Sequence, residues 1–248
     1  MSTTIAFLHT ELTLLRRDTT AWATAIALPF VLGAWWITTD PPFADGMGAI
    51  VALQVATLLI FSLHTVGTMA LASRREQLVL KRWRTSQASP LSVLMGTIGV
   101  PAGLVVLQAA VLTALTMAAS DTAPASVTML AVGALSGVAV VGALTFVAAA
   151  FTRSAEHAMI TTFPVIIVVM AGTAWSLMRP FDAFDWPVLA VPGGAMTQLL
   201  QLGWEGPTDG SGAAAWLSQA APGLVATVVL TALGTIAARH WFRWEPRP

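Results

Sequence analysis

The six stretches of this 248-residue chain that read as candidate spans contain no Asp, Glu, Lys or Arg: residues 21–37, 48–72, 91–119, 128–152, 158–178 and 220–238. Crossing the hydrocarbon core of a bilayer takes about 20 apolar residues in a helix. All six qualify, the first only marginally. In lipid every backbone N–H and C=O needs an internal partner, so runs of this kind must be helical. Only 10% of the residues are charged, against roughly 25% for a soluble domain of similar size. The expected fold is therefore an all-α membrane protein with six transmembrane helices, forming one transmembrane domain over residues 1–248.

The placement of charge gives the orientation. With the N-terminus inside the cell, Arg16, Arg17, Arg74, Arg75, Lys81, Arg82, Arg84, Arg153, Arg239, Arg243 and Arg247 all fall on the cytoplasmic side, and Arg179 alone falls outside. That is the asymmetry of the positive-inside rule, and it predicts cytoplasmic termini in a bacterial inner membrane. The acidic residues Asp40, Asp45, Asp121, Asp182, Asp185, Glu205 and Asp209 lie on the other side, which agrees but steers topology little. The formal net charge is zero, which gives no sign of a nucleic-acid partner, and none is expected. Residues 1–20 carry charge and no cleavage signal, so the first helix is expected to be retained.

Composition removes several chemistries. There is no cysteine, hence no disulfide or thiolate metal site, and His9, His64, His157 and His240 are scattered, so no bound metal or cofactor is expected. No GxxxxGK[ST] loop is present to cradle phosphates. Most of the ten tryptophans fall near predicted helix ends, where they read as interfacial anchors. Gly99 with Gly103, and Gly133 with Gly137, have the spacing that lets helices approach closely, and packing within the chain is the expected use of both. Pro29, Pro101 and Pro164 predict kinks.

Three segments outside the predicted spans carry the functional argument. In residues 5–15 the apolar Ile5, Leu8, Leu12 and Leu15 recur at helical spacing opposite His9, Glu11 and Arg16, as in a helix lying in the membrane interface. The loop at residues 73–90 combines Arg74, Arg75, Lys81, Arg82 and Arg84 with Leu78, Leu80 and Trp83, and closes on Ser89-Pro90, a good start for a helix. Orientation alone would require the charges but not the interleaved apolar residues. Residues 179–219 are too broken by Pro180, Pro187, Pro192, Gly193, Gly194 and Pro207 to span. Their apolar pieces at 186–191 and 195–202 predict half-helices dipping into the outer leaflet.

These segments, in this order, resemble the permease subunit of a type 2 ABC exporter. The sequence Leu8-His-Thr-Glu-Leu-Thr-Leu-Leu-Arg-Arg-Asp18 is similar to that family's connecting helix, which residues 1–20 would form. Arg74-Arg-Glu-Gln-Leu-Val-Leu-Lys-Arg-Trp-Arg-Thr85 with Ser89-Pro-Leu-Ser92 resembles its coupling helix, although Gln77 stands where such permeases often have glycine. Ala190-Val-Pro-Gly-Gly-Ala-Met-Thr-Gln-Leu-Leu200 resembles its re-entrant outer helices. The resemblance implies a second permease, either the same chain or a sister chain, and separate ATP-binding cassette subunits that carry ATP and Mg. It also implies coupling to those subunits through Arg74, Arg75, Glu76, Leu78, Leu80, Lys81, Arg82, Trp83 and Arg84, and outward movement of a drug, natural product or lipid.

The predicted spans contain no Asp, Glu, Lys or Arg, which argues against an ion-coupled carrier. Their notable polar residues are Gln54, His64 and Gln108, candidates to line a pathway, with contact between helices the favoured reading for His64. An enzyme acting on lipid within the membrane is the alternative, with His64 carrying a proton. His64 lacks a carboxylate or nucleophile partner in the sequence, and Ser136 is not on a strand-to-helix elbow.

Overall fold

A computed structural model of the chain describes residue 13 and residues 19–39, 45–76, 90–154, 156–180, 185–210 and 212–241. All regular elements among them are helical. Helix α1 runs from Thr19–Trp22 through a π-helical turn, Ala23–Ala27, into Leu28–Thr38. Helix α2 is Gly46–Glu76, with a second π stretch at Leu59–Thr65. Then follow α3 (Pro90–Ser120), α4 (Val127–Phe151), α5 (Ala158–Leu177), the short α6 (Trp186–Leu189), α7 (Gly194–Glu205) and α8 (Ala213–Trp241).

Five of these, α2, α3, α4, α5 and α8, are long and apolar enough to cross a membrane. The apolar part of α1, Ala23–Thr38, is shorter, so of six expected crossings five stand on length and composition. The limits differ from expectation at two places. Helix α2 continues through Glu76, so residues 73–76 form its last turn and not a loop. Helix α8 begins at Ala213, because Trp216 and Gln219 are accommodated within it.

Burial sorts the helices by what they face. Some 83% of the most apolar window of α2 is buried, against 28% for α5 and for α8. Gly48, Ala49, Ala52 and Ala56 let neighbours approach α2, and it sits among α1, α3, α4 and α7. Ile160, Phe163 and Ile167 of α5 and Val228, Leu233 and Ile236 of α8 are exposed. Such continuous apolar faces suit lipid and would be untenable in water.

Helix pairs within the bundle are antiparallel. Ser62 Oγ donates to the Ala25 carbonyl at 2.6 Å and Gln54 Nε2 donates to the Gly33 carbonyl at 3.0 Å, which runs α1 against α2. Followed through the remaining turns, this puts the described ends Thr19 and Trp241 on one face, with Glu76, Pro90 and residues 152–154 and 156–157. The opposite face carries residues 121–126, 206–210 and 212.

The glycine and tryptophan expectations divide. A Cβ on Gly133 would lie 2.9 Å from Leu200 Cγ, and one on Gly137 would lie 2.5 Å from Leu59 Cδ1 and 2.7 Å from Met196 Sδ, so this pair packs within the chain. Among the described residues a Cβ on Gly103 would meet nothing within 4 Å, so Gly103 shows none of the close packing expected of its pair with Gly99. Trp22, Trp35, Trp175, Trp186 and Trp241 are exposed close to helix ends, as anchors should be. Trp204 is an exception: it is buried in the core, packed with α7 against Gly48.

Candidate functional site

Helices α6 and α7 form a hairpin that enters the bundle and returns to the same face. At its tip Gly193 has φ +101°, a conformation that L side chains rarely adopt, and a Cβ there would stand 2.3 Å from the Val169 carbonyl oxygen. Gly172 makes the reciprocal space on α5, where a Cβ would lie 2.2 Å from the Pro192 oxygen. The tip therefore touches α5 backbone to backbone. Helix α7 then climbs away, and all its residues from Gly194 to Trp204 are buried.

Depth follows from helix geometry. Met196 sits against Gly137, ten residues into α4 from Val127, or about 15 Å at 1.5 Å per residue. The expected apolar pieces 186–191 and 195–202 are thus largely helical, and the second is buried inside the bundle.

The return to the face is held by backbone and by charge. Ala125 N–H donates to the Trp204 carbonyl and Ser126 N–H to the Gly203 carbonyl, both at 2.9 Å. Ser126 also caps α4, its Oγ accepting from Met129 N–H at 3.2 Å. Glu205 Oε1 accepts the Gly48 N–H at 3.1 Å, which brings a carboxylate to the N-terminus of α2, where Asp45 makes no side-chain cap. Below the mouth, Ser176, Arg179, Asp185, Val188, Leu189 and Gln198 line a small cleft between α5 and the hairpin. Arg179 Nε is 3.9 Å from Asp185 Oδ2 across it.

Leu78, Leu80, Lys81, Arg82, Trp83 and Arg84 lie outside the described residues, as do residues 1–12 and 14–18 of the expected connecting helix. Arg74 is half-buried and Glu76 exposed in the last turn of α2. Arg75 departs from the expectation of a surface charge: it is 1% exposed. Its Nη1 donates to the Ala149 carbonyl at 3.0 Å and its Nη2 to the Thr152 carbonyl. A cation among the last carbonyls of α4 is favoured by the helix dipole, and at Ala149 it adds to the bond that the carbonyl already accepts from the Thr152 N–H.

The three polar residues proposed for a pathway are buried and do not converge. Gln54 Nε2 reaches the Gly33 carbonyl and Thr116 Oγ1, each at 3.0 Å, tying α2 to α1 and α3. Gln108 Nε2 donates to the Ala25 carbonyl at 3.1 Å and Ser62 Oγ at 3.3 Å, tying the same helices nearer the termini. The His64 Nδ1 lies 3.1 Å from Thr145 Oγ1 of α4. Each is thus an interhelical contact in this conformation, which is the reading favoured for His64. Their partners Ser62, Thr116 and Thr145 were not singled out in the sequence, although a hydroxyl two residues from His64 in an apolar span is a visible cue. Ser136, also buried, lies on α4.

No family model matches the chain, and no curated protein or solved structure matches it.

Proposed function

We propose that this chain is the permease subunit of an ATP-driven exporter of the type 2 ABC class. The carrying observation is the hairpin, with Trp186–Leu189, a glycine turn and a fully buried Gly194–Glu205 lodged among α2, α4, α5 and α8 just before the last long helix. A half-membrane stopper at one end of a bundle suits a chain that must keep the bilayer sealed between transport cycles. In this reading α1 is the sixth crossing, since residues 19–38 extend about 30 Å as a helix. The face with the termini is cytoplasmic, following the distribution of basic residues. The membrane is the bacterial inner membrane.

The chain has no phosphate-binding loop, so ATP and Mg belong to a separate cassette subunit. Two permeases, alike or sister chains, pair with two such ATPases. The segment from Arg74 to Arg84 docks onto the ATPase, with Trp83, Leu78 and Leu80 as desolvated anchors and Arg82 and Arg84 as charges at the rim. Arg75, being buried, serves from inside. The apolar bundle suits a hydrophobic or amphipathic substrate moved outward.

The test is isolation from the native membrane with bound proteins identified, followed by Trp83→Ala and Leu78→Ala. Both variants should lose the ATPase on purification, because a truncated anchor costs about 2 kcal/mol or more. Asp121→Asn on the other face is the control; Asp121 has φ 51°, which asparagine tolerates. Retention of the ATPase and of substrate-stimulated hydrolysis in both loop variants would defeat this assignment.

A further inference from the structure

Helix α4 connects the two regions assigned above, and its construction differs from that of the other long helices. Among the described residues α2 contains a π stretch, and α3, α5 and α8 contain Pro101, Pro164 and Pro222. Helix α4 has neither over its 25 residues, a length of about 37 Å. Prolines and widened turns are common places for long helices to bend, and α4 is continuous α-helix with neither.

Each end of the rod is gripped. At its C-terminus the buried Arg75 fork holds the Ala149 and Thr152 carbonyls from the last turn of α2, next to Glu76 and the start of the basic loop. At its N-terminus the paired backbone bonds from Ala125 and Ser126 hold Trp204 and Gly203. Along the rod, Leu130 packs on Gly203, Gly133 on Leu200 and Gly137 on Met196, so α4 follows nearly the whole of α7. The Arg75 grip resists slipping. Displacing α2 from α4 there would take these two carbonyls away from a buried cation, which is more costly than moving both helices together.

We propose that Arg75 is a positioning residue through which the junction of α2 and the basic loop moves α4, and that α4 carries the motion as a rod to the α6–α7 hairpin. Only the source of the motion, a partner ATPase, rests on the function proposed above. The coupling itself is a property of this chain and can be measured without a partner.

The measurement is hydrogen exchange on the full chain in phospholipid nanodiscs. Arg75→Gln should speed exchange of the α7 amides, Gly194–Glu205, by about tenfold, the scale of an ordinary coupling between distant sites. Arg75→Lys, which keeps the charge but loses the planar fork, should give a smaller effect. Arg239→Gln, on the exposed side of α8, should give none. Coupling is reciprocal, so Gly133→Ala, which wedges α4 from Leu200, should speed exchange at residues 70–76 at the far end. If Arg75→Gln does not yield a monodisperse protein, Arg75→Lys and Gly133→Ala decide. Effects confined to residues 70–76 and 145–152 for the Arg75 variants, and to the α7 contact for Gly133→Ala, would make Arg75 a local helix cap and overturn the proposal. Failure to find an ATPase would defeat the exporter reading and leave this result standing.

Discussion

Glu205 and Gly48, 157 positions apart in sequence, meet at 3.1 Å, with the carboxylate at the end of α7 taking the backbone N–H in the first turn of α2. One residue thus caps a helix and latches the hairpin. Glu205→Ala should weaken the fold by about 1 kcal/mol, the usual scale of a lost cap. Glu205→Gln, which retains an acceptor, should cost less. Thermal unfolding in nanodiscs should show a drop of about 2–4 °C for the alanine variant, and equal melting of wild type and both variants would remove the latch.

Two glycines make opposite forecasts. Gly193→Ala combines a positive φ with a 2.3 Å clash against the Val169 oxygen, and should destabilise by about 3 kcal/mol or more. Gly103→Ala adds a methyl into open space within a helix and should be neutral or stabilise by up to about 1 kcal/mol. Expression and monodispersity on gel filtration provide the comparison. A well-behaved Gly193→Ala protein would mean the hairpin tip is not packed as described.

Orientation is accessible because the chain has no native cysteine. Thr208 and Glu156 are exposed on opposite faces. Thr208→Cys should react with a membrane-impermeant maleimide in intact cells, and Glu156→Cys only after permeabilisation. The reverse pattern would invert the topology.

The buried amides should matter for stability more than for selectivity. Gln108→Leu and Gln54→Leu each remove bonds between α1, α2 and α3. Hydrogen bonds between membrane helices average about 0.6 kcal/mol, so each change should cost about 1 kcal/mol. Unfolding in denaturing detergent measures this. Under the proposed exporter function, an altered spectrum of transported compounds without a stability change would place the residue in the pathway after all.

Much of this arrangement was legible because charge-free runs and helix breakers report directly on lipid. Residues 48–72 lie within Gly46–Glu76, and the apolar pieces 186–191 and 195–202 anticipate Trp186–Leu189 and Gly194–Glu205. What escaped the sequence depends on partners far away in the chain. Arg75 counts as one positive charge in any topological argument, and nothing beside it announces the carbonyls at Ala149 and Thr152. Gly103 looks like a packing residue by spacing, yet spacing does not say which face a neighbour occupies. The π stretches at Ala23–Ala27 and Leu59–Thr65 have no compositional mark.

The unequal burial of the long helices implies that they accept sequence change under different rules. Wherever the outer faces of α5 and α8 meet lipid, a residue is held only to being soluble in hydrocarbon, so exchanges such as Ile236→Leu or Val228→Ile cost little there. On α2 the same exchanges are judged by shape. Leu53, Leu58, Leu59 and Leu63 each have less than 2% exposure, so a gain or loss of one methylene at any of them must be absorbed by a neighbouring helix. A library randomised among apolar residues should therefore fill readily at α5 and α8 and collapse to few survivors at α2, although a hydropathy plot scores the three helices alike.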